Sequence, residues 1–221
     1  FVSKVKDIPL AKIAAQITAG KKLSEFDLKQ RENKNLIAVK KPVFPFNKFP
    51  KEKLFLSPEM KSTGEVIGLD IGLGAAYLKA ESGAGNHLPE SGNVFISVND
   101  FDKMDSVVLV RDFQEMGFGI MATEGTAELL SENGLPVEKV FKAGEGRPNV
   151  LDLIKNGDIQ LVINTPMGAQ ARFDEYSIGR SAIQQKIPVI TTLSGARAAV
   201  RGIRARSGKK IDYRCLQKIF S

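Results

Sequence analysis

Residues 94–133 read VFISVNDFDKMDSVVLVRDFQEMGFGIMATEGTAELLSEN and repeat one pattern twice. A short apolar run, 94–98 or 119–122, is followed by a longer segment with apolar residues at helical spacing. Gly117 lies between the two repeats, where a left-handed residue ends a helix most easily. This alternation is typical of parallel strands joined by right-handed helical crossovers.

The same alternation continues toward the last residue. Further strands are predicted at 139–142, 159–164 and 189–191, and helices are predicted at 102–116, 126–133, 148–155, 174–186 and 194–206. Residues 91–221 therefore predict a doubly wound α/β domain built on a five-stranded parallel sheet. Ligands of such sheets bind outside the carboxyl ends of the strands, so we looked for functional residues there.

Residues 1–90 follow a different pattern. Helical spacing covers 9–17 and 74–80, and a strand-like stretch from 36 to 50 is interrupted by prolines, which favour an edge or bulged strand. The apolar residues of this region are too sparse for a core of its own. We therefore expect it to be a separate region that packs against something else.

Composition excludes several classes of protein. The chain has 221 residues, of which 43% are hydrophobic and 26% charged, as in ordinary globular proteins. No apolar run approaches the roughly 20 residues that span a bilayer, and no apolar leader is visible, so we expect a cytoplasmic protein and no membrane partner. The single Cys215 and single His87 allow neither a disulfide framework nor a His/Cys zinc site.

Basic charge is concentrated at the end of the sequence. The net charge is +7, and residues 197–221 contain eight basic residues and one acidic residue. Such a segment could bind nucleic acid, or it could be a terminal helix whose cations lie near its C-terminal end. No ladder of aromatic residues is interleaved with these cations, which makes nucleic acid the less favoured partner.

The second predicted strand ends in a segment suited to phosphate. Residues 122–127 read Ala-Thr-Glu-Gly-Thr-Ala and lie between a strand and a helix. The hydroxyls of Thr123 and Thr126, a glycine that allows close approach and the N–H groups of a helix N-terminus all favour an anion. Thr126 could instead be only the helix N-cap.

The first strand ends near a hydroxyl and an ammonium group. Ser97 closes the strand, and Lys103 lies one loop and one helical turn further on. An alternative is that Asp100 or Asp102 caps the helix and Lys103 is only solvated.

Two further strand ends add polar groups. Lys142 precedes a glycine-rich loop after the third strand, and Asn164 and Thr165 follow the fourth. Asn164 can donate and accept, which suits a base or a ribose, although it could equally fix the turn. The set contains no general base, so it favours binding of an anion over catalysis.

These residues resemble the methylglyoxal-synthase-like domain that closes the large subunit of carbamoyl-phosphate synthase. The resemblance is carried by Ser97, Lys103, 122–127, 145–148 and 163–165, and upstream by 1–4, 9–14, 45–50 and 58–66. The upstream segments look like the last part of that subunit's second ATP-grasp half. The resemblance implies an incomplete ATP-grasp tail at 1–90 and a regulatory domain at 91–221.

The resemblance also implies an allosteric ligand. In that family the crevice binds a nucleoside monophosphate, usually UMP or IMP. The matching positions are Thr123, Thr126, Lys142 and Lys103 for the phosphate, and Ser97, Asn164, Thr165 and Asp174 for the surrounding shell. Two departures from the family pattern are present: Pro166 stands where bacterial relatives often have a threonine that bears on the ribose or base contacts, and Ala169 and Gln170 replace an arginine-containing stretch.

The resemblance also implies a second effector, ornithine. Thr191 matches one contact, but Lys41 stands where the family has a glutamate that pairs an ornithine ammonium group. Two facing ammonium groups repel by about 4 kcal/mol at 4 Å in an intermediate dielectric. We therefore expect the parent enzyme to be insensitive to ornithine.

The resemblance further implies a parent ligase of pyrimidine and arginine biosynthesis. That enzyme uses ATP and Mg²⁺ or Mn²⁺ and pairs with a small glutaminase subunit, and it could be oligomeric. The family's ATP-grasp carboxylates lie upstream of Phe1, so we expect the fragment alone to hold no catalytic residue, cofactor or metal. Two alternatives remain: a stand-alone methylglyoxal synthase, which needs an aspartate base near the phosphate loop, and a basic nucleotide- or RNA-binding module.

Overall fold

A computed structural model describes residues 1–28, 35–44, 64–165, 169–206 and 211–219, with side chains described outside 169–175. The first described elements are α1 (Val2–Lys6), α2 (Leu10–Thr18), β1 (Ile37–Val43), β2 (Gly64–Asp70) and α3 (Leu73–Gly83). The alternating region follows as β3 (Asn93–Val98), α4 (Lys103–Glu115), β4 (Gly119–Ala122), α5 (Glu124–Glu132), β5 (Glu138–Lys139), α6 (Val150–Asn156), β6 (Leu161–Thr165), α7 (Ala169–Gln184), β7 (Val189–Ile190), α8 (Leu193–Arg206) and α9 (Leu216–Ile219).

The alternating region forms one parallel sheet with the strand order β5-β4-β3-β6-β7. The chain moves outward from β3 to β4 and β5, then returns past β3 to β6 and β7. The direction of winding therefore reverses between β3 and β6, which makes that pair the topological switch point. The predicted doubly wound five-stranded α/β sheet is confirmed.

Helices cover both faces of the sheet because successive residues of a strand point to opposite sides. Ile96 and Ile163 belong to one buried cluster, which also takes in residues of α4, α5 and α8. Phe95 and Val162 belong to a second cluster, with residues of α6 and α7. All four of these side chains are fully buried, so the central strands β3 and β6 carry the core on both faces.

The N-terminal elements pack against this domain through α3. Strands β1 and β2 pair in antiparallel fashion, and α3 contacts both strands and α8. A Cβ placed on Gly74 would overlap the Arg201 carbonyl oxygen, so glycine is what lets α3 approach α8 so closely. Leu78 and Leu88 join the first buried cluster. The division of the chain at residue 90 stays a prediction.

Several element boundaries differ from the prediction. Strand β5 is only Glu138–Lys139, so Lys142 lies in the following loop rather than at a strand end. Helix α5 begins at Glu124, with Thr123 in extended conformation at the N-cap, so the alternative that made Thr126 the N-cap was wrong. The predicted strand-like stretch reaches Val43 as β1, and its part at 45–50 lies outside the described residues.

Candidate functional site

The predicted polar residues meet at the switch point of the sheet. Ser97 and Asn164 are register partners on β3 and β6, and Val98 and Thr165 are the next pair along the same strands. These pairs end the two strands between which the winding reverses, so they line the position where open α/β sheets bind ligands.

Three polar side chains form a row across the strand ends. Thr123 follows β4, and its Oγ1 lies 3.3 Å from Ser97 Oγ. Ser97 in turn lies beside Asn164 on the neighbouring strand. By the alternation of side chains along each strand, all three point to the face that α6 and α7 cover. The row offers two hydroxyls and one amide, which can both donate and accept hydrogen bonds.

The loop after β4 lies deeper than its sequence indicated. Thr123 and Thr126 retain only 4% and 2% of their surface exposed. Thr126 Oγ1 accepts a hydrogen bond from the backbone N–H of Val98 at 3.4 Å and so joins α5 to β3. The N–H groups of Glu124 and Gly125 precede the first hydrogen bond of α5, which runs from the N–H of Thr126 to the Thr123 carbonyl oxygen, and they favour negative charge at this end.

Lys103 is brought to the same loop by α4. A Cβ placed on Gly125 would lie 3.3 Å from Lys103 Nζ, so glycine leaves the space that the ammonium occupies. Lys103 Nζ also lies 2.7 Å from Asp100 Oδ1, and this hydrogen bond holds the pKa of the Asp100 carboxyl below its usual value. Helix α4 thus supplies a cation to the helix terminus that the threonines flank.

Sequence analysis missed a second cation at the loop, Lys139. Lys139 Nζ forms an ion pair with Glu124, and this contact lowers the pKa of Glu124 and raises that of Lys139. Lys142 is exposed and adds a smaller electrostatic effect on Glu124. Lys139 lies inside the predicted third strand, and only the pairing of β5 with β4 shows which loop it faces.

Two residues, Lys41 and Thr191, were predicted for a second effector. Lys41 is in β1, where its Nζ lies 2.6 Å from Oε1 of the buried Glu81 in α3. Thr191 is exposed directly after β7. Asp174 lies within α7, and its side chain and the residues at 166–168 are outside the described part of the structure.

Three cations of α8, Arg197, Arg204 and Arg206, are paired with acidic side chains. Arg204 contacts Asp112 and Glu115 of α4 at 2.7 and 2.8 Å, and Arg197 contacts Asp105 at 3.0 Å. These pairs hold α8 against α4 and reduce the positive field of the basic segment.

Across the described ranges, no group of three or more His, Cys, Asp or Glu side chains is placed to hold a metal ion. No helix in those same ranges is long and apolar enough to cross a membrane.

Comparison with known proteins supports the assignment of the fold and the family. The model of the MGS-like domain matches residues 105–191. The chain is 50% identical over 218 residues to the carbamoyl phosphate synthase large chain of Nostoc, covering 99% of this chain and 20% of that one. It is 42% identical over 242 residues to the C-terminal section of that chain from Aquifex aeolicus, covering 100% and 45%.

The solved methylglyoxal synthase of Elizabethkingia anophelis aligns with a TM-score of 0.43 and 20% identity, covering 51% of this chain and 79% of that one. The chain spans about a fifth of the full-length relatives that it matches. Over its whole length, this chain is a homologue of carbamoyl phosphate synthase large chains, and it contains their MGS-like domain.

Proposed function

We propose that this chain is the regulatory part of a carbamoyl phosphate synthase large chain and that its crevice binds an allosteric nucleoside monophosphate of the UMP or IMP type. The nucleotide tunes ATP-dependent synthesis of carbamoyl phosphate from bicarbonate and glutamine-derived ammonia. The parent enzyme works in the cytoplasm with ATP and Mg²⁺ or Mn²⁺. Its partners are the rest of the large subunit and a small glutaminase subunit.

One observation carries this proposal: the Lys103 ammonium lies against Gly125, at the N-terminus of α5 and beside the switch point. A phosphate placed there would meet an ammonium, free helix N–H groups and the hydroxyls of Thr123 and Thr126. Ser97 and Asn164 lie on the adjacent strand ends, where the rest of a nucleotide would extend.

The charges at the crevice favour binding over catalysis. Two carboxylates close to the loop, Asp100 and Glu124, are each held in an ion pair with a lysine. Both pKa values are lowered, which makes these groups weak bases. A methylglyoxal synthase would need a carboxylate that accepts a proton readily.

The test is calorimetry with UMP and IMP beside uridine and inosine. We expect the nucleotides to bind and the nucleosides to bind at least tenfold more weakly, a difference of about 1.4 kcal/mol or more. Lys103→Gln should abolish most of the difference in affinity between nucleotides and nucleosides. The matched control, Lys155→Gln in α6, should leave that difference unchanged. Equal binding of nucleosides and nucleotides would contradict the proposal.

An enzyme assay and an RNA-binding assay separate the alternatives. Formation of methylglyoxal from dihydroxyacetone phosphate by the chain would favour a stand-alone methylglyoxal synthase. Binding of RNA that falls steeply with salt would favour the basic module. We expect neither, and we expect nucleotide-dependent changes in the activity of the full-length parent enzyme.

A further inference from the structure

Asn99 joins the two halves of the switch point and was not among the predicted site residues. It is the first residue after β3, and it is half-buried between the loop leading to α4 and the end of β6. Its backbone and side chain contact residues on both sides of the crevice.

Toward β6, Asn99 determines which hydrogen bonds Thr165 can still make. The backbone N–H of Asn99 donates to Thr165 Oγ1 at 3.2 Å, and Asn99 Nδ2 donates to the same oxygen at 3.1 Å. Both donors also contact the Thr165 carbonyl oxygen. A hydroxyl has two acceptor lone pairs and one O–H. With N–H donors facing the lone pairs, the O–H is the group that Thr165 can offer to a ligand.

Toward α4, the same side chain fixes the start of the helix that carries Lys103. Asn99 Oδ1 accepts the backbone N–H groups of Phe101 and Asp102 at 3.0 and 3.2 Å. Asn99 Nδ2 donates to Asp102 Oδ2 at 2.7 Å. Asp102 is the N-cap of α4, and Lys103 is the first residue of the helix.

We propose that Asn99 is the positioning residue of the nucleotide site. It orients Thr165 as a hydrogen-bond donor toward an oxygen acceptor of the bound nucleotide, and it anchors the helix that carries Lys103. This inference rests on the proposed function. It assigns Asn99 a role through Thr165 and Lys103 and no contact of its own with the ligand.

The decisive variant is Asn99→Asp. Aspartate keeps an oxygen for the N–H groups of Phe101 and Asp102, so it preserves the turn that leads into α4. It removes both Nδ2–H donors and places an oxygen next to Asp102 Oδ2. Parent-like binding by Asn99→Asp would limit Asn99 to holding that turn, whereas the Asn99→Ala cycle with Thr165→Val, which adds no charge beside Asp102, shows whether a loss of binding runs through Thr165.

The experiment is calorimetry of UMP and IMP with the full chain and the variants Asn99→Ala and Asn99→Asp. We expect each variant to bind about tenfold more weakly, the effect of losing one oriented hydrogen bond. Asn93→Ala is the matched control, since Asn93 Nδ2 donates to the Asp158 carbonyl oxygen at the other end of β3. That variant should match the thermal stability of Asn99→Ala while binding like the parent chain.

A double-mutant cycle with Thr165→Val tests the route of the effect. If Asn99 acts through Thr165, Asn99→Ala should cost little more in a Thr165→Val background. Parent-like binding by Asn99→Asp, or fully additive losses, would overturn the inference. If the parent chain binds neither nucleotide, the proposed function fails and this inference fails with it.

Discussion

Lys41 Nζ lies 2.6 Å from Oε1 of Glu81 and joins strand β1 to helix α3. The side chain of Glu81 is only 4% exposed, and its second carboxylate oxygen accepts a hydrogen bond from Asn86 Nδ2 at 2.9 Å. Burial, and then the charge of Glu81, raise the pKa of the neighbouring Tyr77 hydroxyl. The N-terminal elements are thus held together by a buried ion pair.

The Lys41–Glu81 pair should be important for stability. Lys41→Met leaves the Glu81 carboxylate buried without its cation, so we expect the free energy of unfolding to fall by about 3 kcal/mol. Lys40→Met is the matched control, because Lys40 lies on the same strand in an exposed pair with Glu65. Urea denaturation of the chain measures both values. Equal, small losses for the two variants would contradict the structural role of the pair.

The Lys41–Glu81 pair also bears on the response to ornithine. The ammonium of Lys41 is committed to Glu81, and both carboxylate oxygens of Glu81 are already hydrogen-bonded. The position therefore offers no carboxylate for an ornithine ammonium group, so we expect the full-length parent to ignore ornithine and still respond to UMP or IMP. Synthase activity at low ATP, with and without ornithine, tests this. Clear activation would mean that other carboxylates take over the role.

Thr126→Val should affect both binding and folding. Loss of a charge-assisted hydrogen bond to phosphate should cost roughly 1.5–3 kcal/mol of nucleotide affinity. The variant also leaves the N–H of Val98 without its acceptor, so the free energy of unfolding should fall by about 1 kcal/mol. Thr126→Ser keeps the hydroxyl and should behave like the parent chain. Unchanged UMP affinity in Thr126→Val would show that the hydroxyl serves only the fold.

Glu124 and Lys139 should tune the affinity for anions in opposite directions. Glu124→Gln removes a negative charge from the phosphate loop and should tighten UMP binding about threefold, whereas Lys139→Met should weaken it by a similar factor. Both groups are exposed, so the effects should shrink as salt rises. Glu132→Gln, at the far end of α5, is the control. Identical UMP affinities for all variants at low salt would refute an electrostatic effect of Glu124 and Lys139 on binding.

The pH dependence of UMP binding follows from the Glu124–Lys139 pair. Since Lys139 lowers the pKa of Glu124, the Glu124 carboxyl stays ionised through the neutral range. The second ionisation of the nucleotide phosphate, near pH 6, should then control the affinity. Binding of UMP should weaken as the pH falls through about 6, equally in the parent chain and in Glu124→Gln. A shift confined to the parent chain would assign the titration to Glu124.

The alternation of strands and helices could be predicted from the amino-acid pattern alone, because apolar residues at periods of two and about four leave few other ways to bury them. The same pattern also placed Ser97, Thr123 and Asn164 at strand ends. Parallel strands bring those ends to one edge of the sheet, so these side chains were expected to meet before any geometry was known.

The order of the strands in the sheet and the pairing of charges became visible in the folded structure. Lys139 reaches Glu124 because β5 pairs with β4, and Asn99 reaches Thr165 because β6 lies beside β3. Lys41 and Glu81 are 40 residues apart, and no local pattern relates them. Hydrophobic periodicity is local, whereas strand order and ion pairing arise from packing between distant segments, so the hydrogen bonds that orient this site appear only in the fold.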